Sequence, residues 1–171
     1  MKYVPNILTT LRLLMIPVFI YFFYRLPLVA AVVFTLACIT DIVDGYLARR
    51  FNVVSKFGML FDPLADKLLQ ISAFLCLCFT QVLPVWAVTI VVVKELLMIA
   101  GALFLLKKNQ VIPANRLGKL GTVVSFIAVI SLIAAGVSDP VAANIWSVVI
   151  VIAALTTLTG YVIIFVQKLK R

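Results

Sequence analysis

Five of the six acidic residues, Asp41, Asp44, Asp62, Asp66 and Glu95, lie inside or at the edge of long apolar runs, and only Asp139 stands in a plain loop. Carboxylates avoid apolar surroundings unless they have work there, so this inversion is the chief chemical signal in the chain. Asp41 and Asp44 are spaced i, i+3, and Asp62 and Asp66 i, i+4. Either spacing sets two carboxylates on one face of a helix. Four carboxylates in one pocket raise each other's pKa and cannot all stay ionised without compensation. A divalent cation supplies it. The chain has no histidine, and an all-oxygen ligand set points to Mg²⁺, with Mn²⁺ or Ca²⁺ as competitors. Two ions suit four carboxylates better than one, and a two-metal clamp is the usual device for in-line displacement at phosphorus. The plainer reading is that the aspartates form ion pairs with Arg49, Arg50 and Lys67.

These residues need elements to position them, and composition says which. Of 171 residues 65% are hydrophobic and 12% charged, with a net charge of +9. A soluble domain averages about 45–50% apolar and about 25% charged. A soluble globular domain and a disordered chain are therefore excluded. A nucleic-acid binder is excluded too, because the basic residues are scattered between apolar runs. The expected fold is all-α, a polytopic membrane protein formed as one domain over residues 1–171. Six transmembrane helices are expected near Ile7–Tyr24, Pro27–Leu47, Asp62–Val82, Val85–Leu106, Leu117–Ala135 and Val141–Val166. A short amphipathic interfacial helix over Lys2 to Arg12 should precede them. Basic residues crowd one side: Lys2, Arg49, Arg50, Lys56, Lys107, Lys108, Arg116, Lys119, Lys168, Lys170 and Arg171. Arg25 and Asp139 fall on the other. By the positive-inside rule both termini and the acid cluster face the cytoplasm of a cell or inner membrane. Cys38, Cys76 and Cys78 sit within apolar runs, which argues for buried hydrophobes rather than a disulfide framework or zinc site.

Small residues accompany the acids. Gly45 follows Asp44, Ala48 is one turn on, and Gly58 precedes Asp62 by four, so a bulky ligand or another helix can come close. Arg49 is placed to clamp a phosphate, and Ser55 to donate a hydrogen bond. Together, Asp41-Ile-Val-Asp44-Gly45-Tyr-Leu-Ala48-Arg49 and Gly58-Met-Leu-Phe-Asp62-Pro-Leu-Ala-Asp66 resemble the signature D-x2-D-G-x2-A-R-x8-G-x3-D-x3-D of the CDP-alcohol phosphotransferases. Every fixed position is present at the family's spacing.

The resemblance implies that Asp41, Asp44, Asp62 and Asp66 hold the metal, two Mg²⁺ ions or Mn²⁺ in their place. Asp66 would also be the base on an acceptor hydroxyl. Gly45, Arg49 and Ser55 would contact CDP-diacylglycerol. Pro5-Asn6-Ile-Leu-Thr9-Thr-Leu-Arg12 looks like the family's entry helix, which would bring Asn6 and Thr9 near the nucleotide; on sequence alone they read as interfacial helix caps. The family also implies homodimers in a lipid membrane.

Phe57-Gly-Met-Leu-Phe-Asp-Pro-Leu-Ala-Asp-Lys-Leu-Leu resembles the phosphatidylglycerophosphate synthase branch, and also the CDP-dependent cardiolipin synthase branch. Lys94-Glu95 aligns with an Arg-Glu pair of the former, and Gly118-Lys119-Leu-Gly121-Thr122 with its Gly-Lys-x-Lys-Thr segment. Lys94, Arg116 and Lys119 would then bind the acceptor, with glycerol 3-phosphate ahead of phosphatidylglycerol. Gly121 in place of the second lysine, and Ala102 where that branch often has arginine, make the expected pocket less basic. Lys94 has a plainer role as a snorkelling or acid-paired lysine. An ion-coupled transporter is the remaining class, but it would spread acids through the bilayer depth and break helices in both halves.

Overall fold

The computed structural model describes residues 4–50, 56–107, 116–135 and 140–169; within these helices the side chains of residues 4–9, 41–50 and 56–63, among others, lie outside the described set. The described residues form six helices and no strand: α1 Val4–Arg25, α2 Pro27–Arg50, α3 Lys56–Phe79, α4 Val85–Lys107, α5 Arg116–Ala135 and α6 Pro140–Leu169. Each expected span coincides with a helix. Two are long and apolar enough to cross a membrane, Val85–Leu105 in α4 and Ala143–Lys168 in α6, while Pro27–Thr40 and Leu120–Ala134 are shorter apolar stretches. The charged residues that close α2 and open α3 and α5 interrupt their apolar runs.

The short interfacial helix is not a separate element. α1 runs unbroken from Val4 to Arg25, with Pro17 inside it. No glycine or proline interrupts Asn6–Ile16, and Pro17 only withdraws one hydrogen bond from the ladder. Arg12, expected on an interfacial surface, is 1% exposed.

The helices divide between two compact units, residues 1–76 with 133–136 and residues 77–132 with 137–171. In the first, α1 packs on α2. The link is Leu26 alone: its N–H donates to the Phe22 carbonyl at 2.7 Å and its carbonyl accepts from Ala30 at 3.1 Å. Pro27 suits the first position of α2, where no N–H is needed. So tight a link forces an antiparallel hairpin. Phe19 and Phe34, nearly equidistant from Leu26, bring their ring centroids to 5.6 Å. The buried stripes are Arg12, Phe19 and Phe23 on α1, Ala30, Phe34 and Ala37 on α2, and Ala65, Leu69, Gln70, Ala73 and Phe74 on α3.

In the second unit α4 packs on α6. The Tyr161 hydroxyl donates to the Met98 carbonyl at 3.0 Å. A Cβ at Gly101 would meet that hydroxyl at 2.7 Å, so the tyrosine crosses α4 where glycine leaves room. α5 meets α6 as closely: a Cβ at Gly121 would fall 2.0 Å from Cγ2 of Thr157 and 3.1 Å from the Ala153 carbonyl oxygen. Small residues let apolar helices approach by their backbones. The turn from α3 to α4 is a Schellman closure: Gln81 takes φ 60, its N–H donates to Cys78 at 2.9 Å, and Val82 donates to Leu77 at 3.0 Å.

Exposed side chains are apolar along whole helix faces: Leu11, Leu14, Val18 and Tyr21 on α1, and Val141, Ile145, Val148, Ile152 and Leu155 on α6. Water would penalise such surfaces, and lipid would not.

Candidate functional site

Helical register ties the candidate residues to the packing of the first unit. On α2 the buried stripe Ala30, Phe34, Ala37 steps on to positions 41, 44 and 48, at the same alternation of three and four. Asp41, Asp44 and Ala48 thus occupy positions that continue the inward face; their side chains lie outside the described residues. On α1 the stripe Phe23, Phe19, Arg12 steps back to position 9, that of Thr9. Carrying the hairpin pairing outward from Phe19 and Phe34 sets Arg12 level with Asp41 and Thr9 level with Asp44. Asn6 and Thr9, Gly45 and Arg49 are thereby at one end of the hairpin.

α3 reaches that end through the chain. Arg50 and Lys56 are separated by residues 51–55, a span of at most roughly 22 Å, so the start of α3 stays near the end of α2. Ser55 lies outside the described residues. Position 62 is two turns into α3, and Asp66 follows on the same face, half-buried. Ala65, Leu69, Gln70 and Ala73 continue that face into the core. The start of α1, the end of α2 and the start of α3 thus belong to one unit, and their described buried faces are mostly apolar.

Among the described residues no group of three or more His, Cys, Asp or Glu gathers to hold an ion; of the four aspartates only Asp66 has a described side chain. The donor set itself suits a hard cation, since all four groups are carboxylates on two helices of one unit.

The acceptor candidates belong to the second unit. Lys94 is 6% exposed, and its Nζ donates to Oε1 of the fully buried Glu95. Neighbours in sequence diverge by about 100° around a helix, so the lysine folds back to reach its partner. The acid-paired state raised from sequence is thus the one observed. Arg116 opens α5, and Lys119 is in its first turn, where the helix has no acidic residue. A Cβ at Gly118 would meet nothing within 4 Å. Gly121, in contrast, is buried against Thr157, which explains the missing second lysine: position 121 faces a helix, with no room for a side chain.

Two residues not assigned a role from sequence stand out in the first unit. Arg12 is a buried guanidinium at the level of Asp41, and Gln70 is a buried amide one turn beyond Asp66. Arg12 gave no signal, because the α1 stripe shows only once α2 is packed on it. Gln70 gave none, because its exposure follows from packing alone.

The family model described as CDP-alcohol phosphatidyltransferase matches residues 2–165. The chain belongs to that family. It is 40% identical over 164 residues to a Mycobacterium tuberculosis protein named "Probable phosphatidylglycerophosphate synthase", covering 91% of this chain and 77% of the relative. It is 36% identical over 168 residues to the CDP-diacylglycerol--glycerol-3-phosphate 3-phosphatidyltransferase of Rickettsia typhi, covering 94% of both. A cardiolipin synthase (CMP-forming) / mitochondrial hydrolase fusion protein of Schizosaccharomyces pombe is 36% identical over 110 residues, 64% of this chain and 18% of the relative. Membership makes the chain a phosphatidyltransferase, an enzyme of phospholipid biosynthesis, and its apolar helices fit a membrane protein.

Proposed function

We propose that this chain transfers the phosphatidyl group of CDP-diacylglycerol to glycerol 3-phosphate, giving phosphatidylglycerophosphate and CMP. The observation that supports this best is the α1–α2 hairpin, whose register sets position 9 level with position 44 in the unit that also carries the start of α3. In this reading the lipid's tails lie along the apolar faces and its pyrophosphate rests at that level. Asn6, Thr9, Gly45, Arg49 and Ser55 bind the cytidine diphosphate. Lys94, Arg116 and Lys119 bind the acceptor's phosphate, with Glu95 pairing Lys94.

The acceptor oxygen forms a bond to the β-phosphorus, and the bond from that phosphorus to the bridging oxygen breaks. CMP leaves with the electron pair, and the hydroxyl proton passes to Asp66. Two Mg²⁺ ions, or Mn²⁺, would be held by Asp41, Asp44, Asp62 and Asp66 and would neutralise the phosphoryl oxygens. A carboxylate is a weak base for an alcohol and suffices where the proton moves late or the pocket lowers the hydroxyl's pKa.

The fold would span the membrane six times with both termini cytoplasmic. The two tryptophans support this: Trp86 and Trp146 stand near the starts of α4 and α6, at the ends away from the basic loops, as an interfacial aromatic belt requires. A homodimer through α3 and α4 would complete the assembly.

A second reading, phosphatidylglycerol as acceptor, draws on the apolar run after Glu95, where Leu96 and Leu97 are exposed. The deciding experiment gives the purified protein in detergent CDP-diacylglycerol, Mg²⁺ and one acceptor at a time. CMP release with glycerol 3-phosphate but not phosphatidylglycerol is expected. EDTA should abolish it and Mg²⁺ or Mn²⁺ restore it; full activity in EDTA sinks the metal reading.

A further inference from the structure

Two buried hydroxyls in these helices close on their own backbone. Ser147 donates to the Ala143 carbonyl at 2.7 Å and Thr157 to the Ala154 carbonyl at 2.8 Å. Gln70 does not. It is 1% exposed, and its Oε1 has no hydrogen-bond partner among the described residues. A buried amide oxygen without a donor is costly, and apolar residues of similar shape are freely available to a helix in lipid. Retaining glutamine there calls for a ligand that donates.

Position fixes the kind of ligand. Gln70 is i+4 from Asp66, so the two are neighbours on one face of α3. It is about 6 Å deeper along the helix axis, and below it Ala73 and Phe74 close the stripe. Beneath its pyrophosphate CDP-diacylglycerol offers only ester oxygens, which cannot donate to an amide oxygen. The O–H donors at this depth belong to the acceptor. If one hydroxyl of a glycerol unit meets Asp66, its neighbour on the adjacent carbon points toward the next turn.

We propose that Gln70 is the residue that reads the second hydroxyl of the acceptor's vicinal diol, its Oε1 accepting a hydrogen bond from the C2 hydroxyl while the C1 hydroxyl attacks. This rests on the acceptor assignment above. Gln70 thereby orients the diol and rejects simple primary alcohols, with no part in proton transfer.

The test compares wild type with Gln70→Leu and Gln70→Met. Two acceptors are used, glycerol 3-phosphate and 3-hydroxypropyl phosphate, which lacks the C2 hydroxyl. Wild type should lose about tenfold or more in kcat/KM when that hydroxyl is removed, the loss expected for an unmatched buried hydrogen bond. Both variants should show a similar loss with glycerol 3-phosphate and discriminate between the acceptors less than about twofold. KM for CDP-diacylglycerol should not move. Without substrates, both variants should melt at a higher temperature than wild type, because an unmatched buried amide has been replaced by an apolar side chain. Equal discrimination by wild type and both variants overturns the proposal, as does a lower melting temperature in both. If wild type releases CMP with phosphatidylglycerol alone, the acceptor assignment fails on its own, and the loss of discrimination in the variants is then read with phosphatidylglycerol and its analogue lacking the headgroup's secondary hydroxyl.

Discussion

Asp66 is half-buried at the point where the inward face of α3 passes from acids to apolar side chains. A group at that border can meet both an ion and an incoming hydroxyl, whereas positions 41, 44 and 62 lie on the polar side. Asp41→Asn, Asp44→Asn and Asp62→Asn should each lower turnover by several orders of magnitude in a protein that still folds, since each would remove a charged ligand from the proposed ion site. Asp66→Asn should stop acceptor attack yet leave CDP-diacylglycerol bound in the presence of Mg²⁺. Asp41→Asn should weaken binding itself. If Asp66→Asn loses binding as completely as Asp41→Asn, Asp66 is chiefly a ligand and the base is another group. The acid set was legible in the sequence because carboxylates are conspicuous in apolar runs. Gln70 and Arg12 were not. An amide or a guanidinium at a helix position says nothing of its exposure until the neighbouring helix is placed.

The helices themselves were readable to within a few residues, except at the start of α3, because the breaks carry chemistry. Pro27 opens α2, and Pro84 follows the left-handed Gln81 that closes α3. What could not be read was which side of each helix faces inward. In a chain bound for lipid, both sides are apolar and hydrophobic periodicity fades. The unbroken α1 and the tight α5–α6 approach escaped the sequence for that reason. Gly121 offers a test at this scale. Gly121→Ala should cost about 1–3 kcal/mol in unfolding free energy, as overpacking does, because its Cβ meets Cγ2 of Thr157. Adding Thr157→Ser removes that methyl and should recover part of the loss, with the Ala153 carbonyl setting the remainder. Gly121→Ala at wild-type stability would mean that the helices stand farther apart.

At the scale of the molecule, the distribution of basic residues predicts an orientation that labelling can check. In a background without Cys38, Cys76 and Cys78, Arg171→Cys should react with an impermeant thiol reagent only in inverted membrane vesicles, and Asp139→Cys only in right-side-out ones. Labelling of both from one side would refute the six-span topology, since the single crossing of α6 must put positions 139 and 171 on opposite sides. Loop charge in the sequence predicts this topology, but it carries no hint that the chain divides into two compact units. The aspartates, Arg12 and Gln70 belong to the first, and Lys94, Arg116 and Lys119 to the second. Contacts between residues distant in sequence make that division, and no local composition marks it.

The apolar stretch of α6, Ala143–Lys168, is 26 residues against 21 for Val85–Leu105 in α4. At the rise of a helix these are about 39 and 32 Å, beside a hydrocarbon core of about 30 Å. Upright, only the shorter would match its surroundings, so α6 must lean or the bilayer must thicken around it. Tyr161 lies across Gly101 and holds the Met98 carbonyl, so the two helices are tied where they cross. In a bilayer of longer acyl chains α6 would lean less, and the change would bear on that crossing, where Met98 stands one turn beyond the Lys94–Glu95 pair.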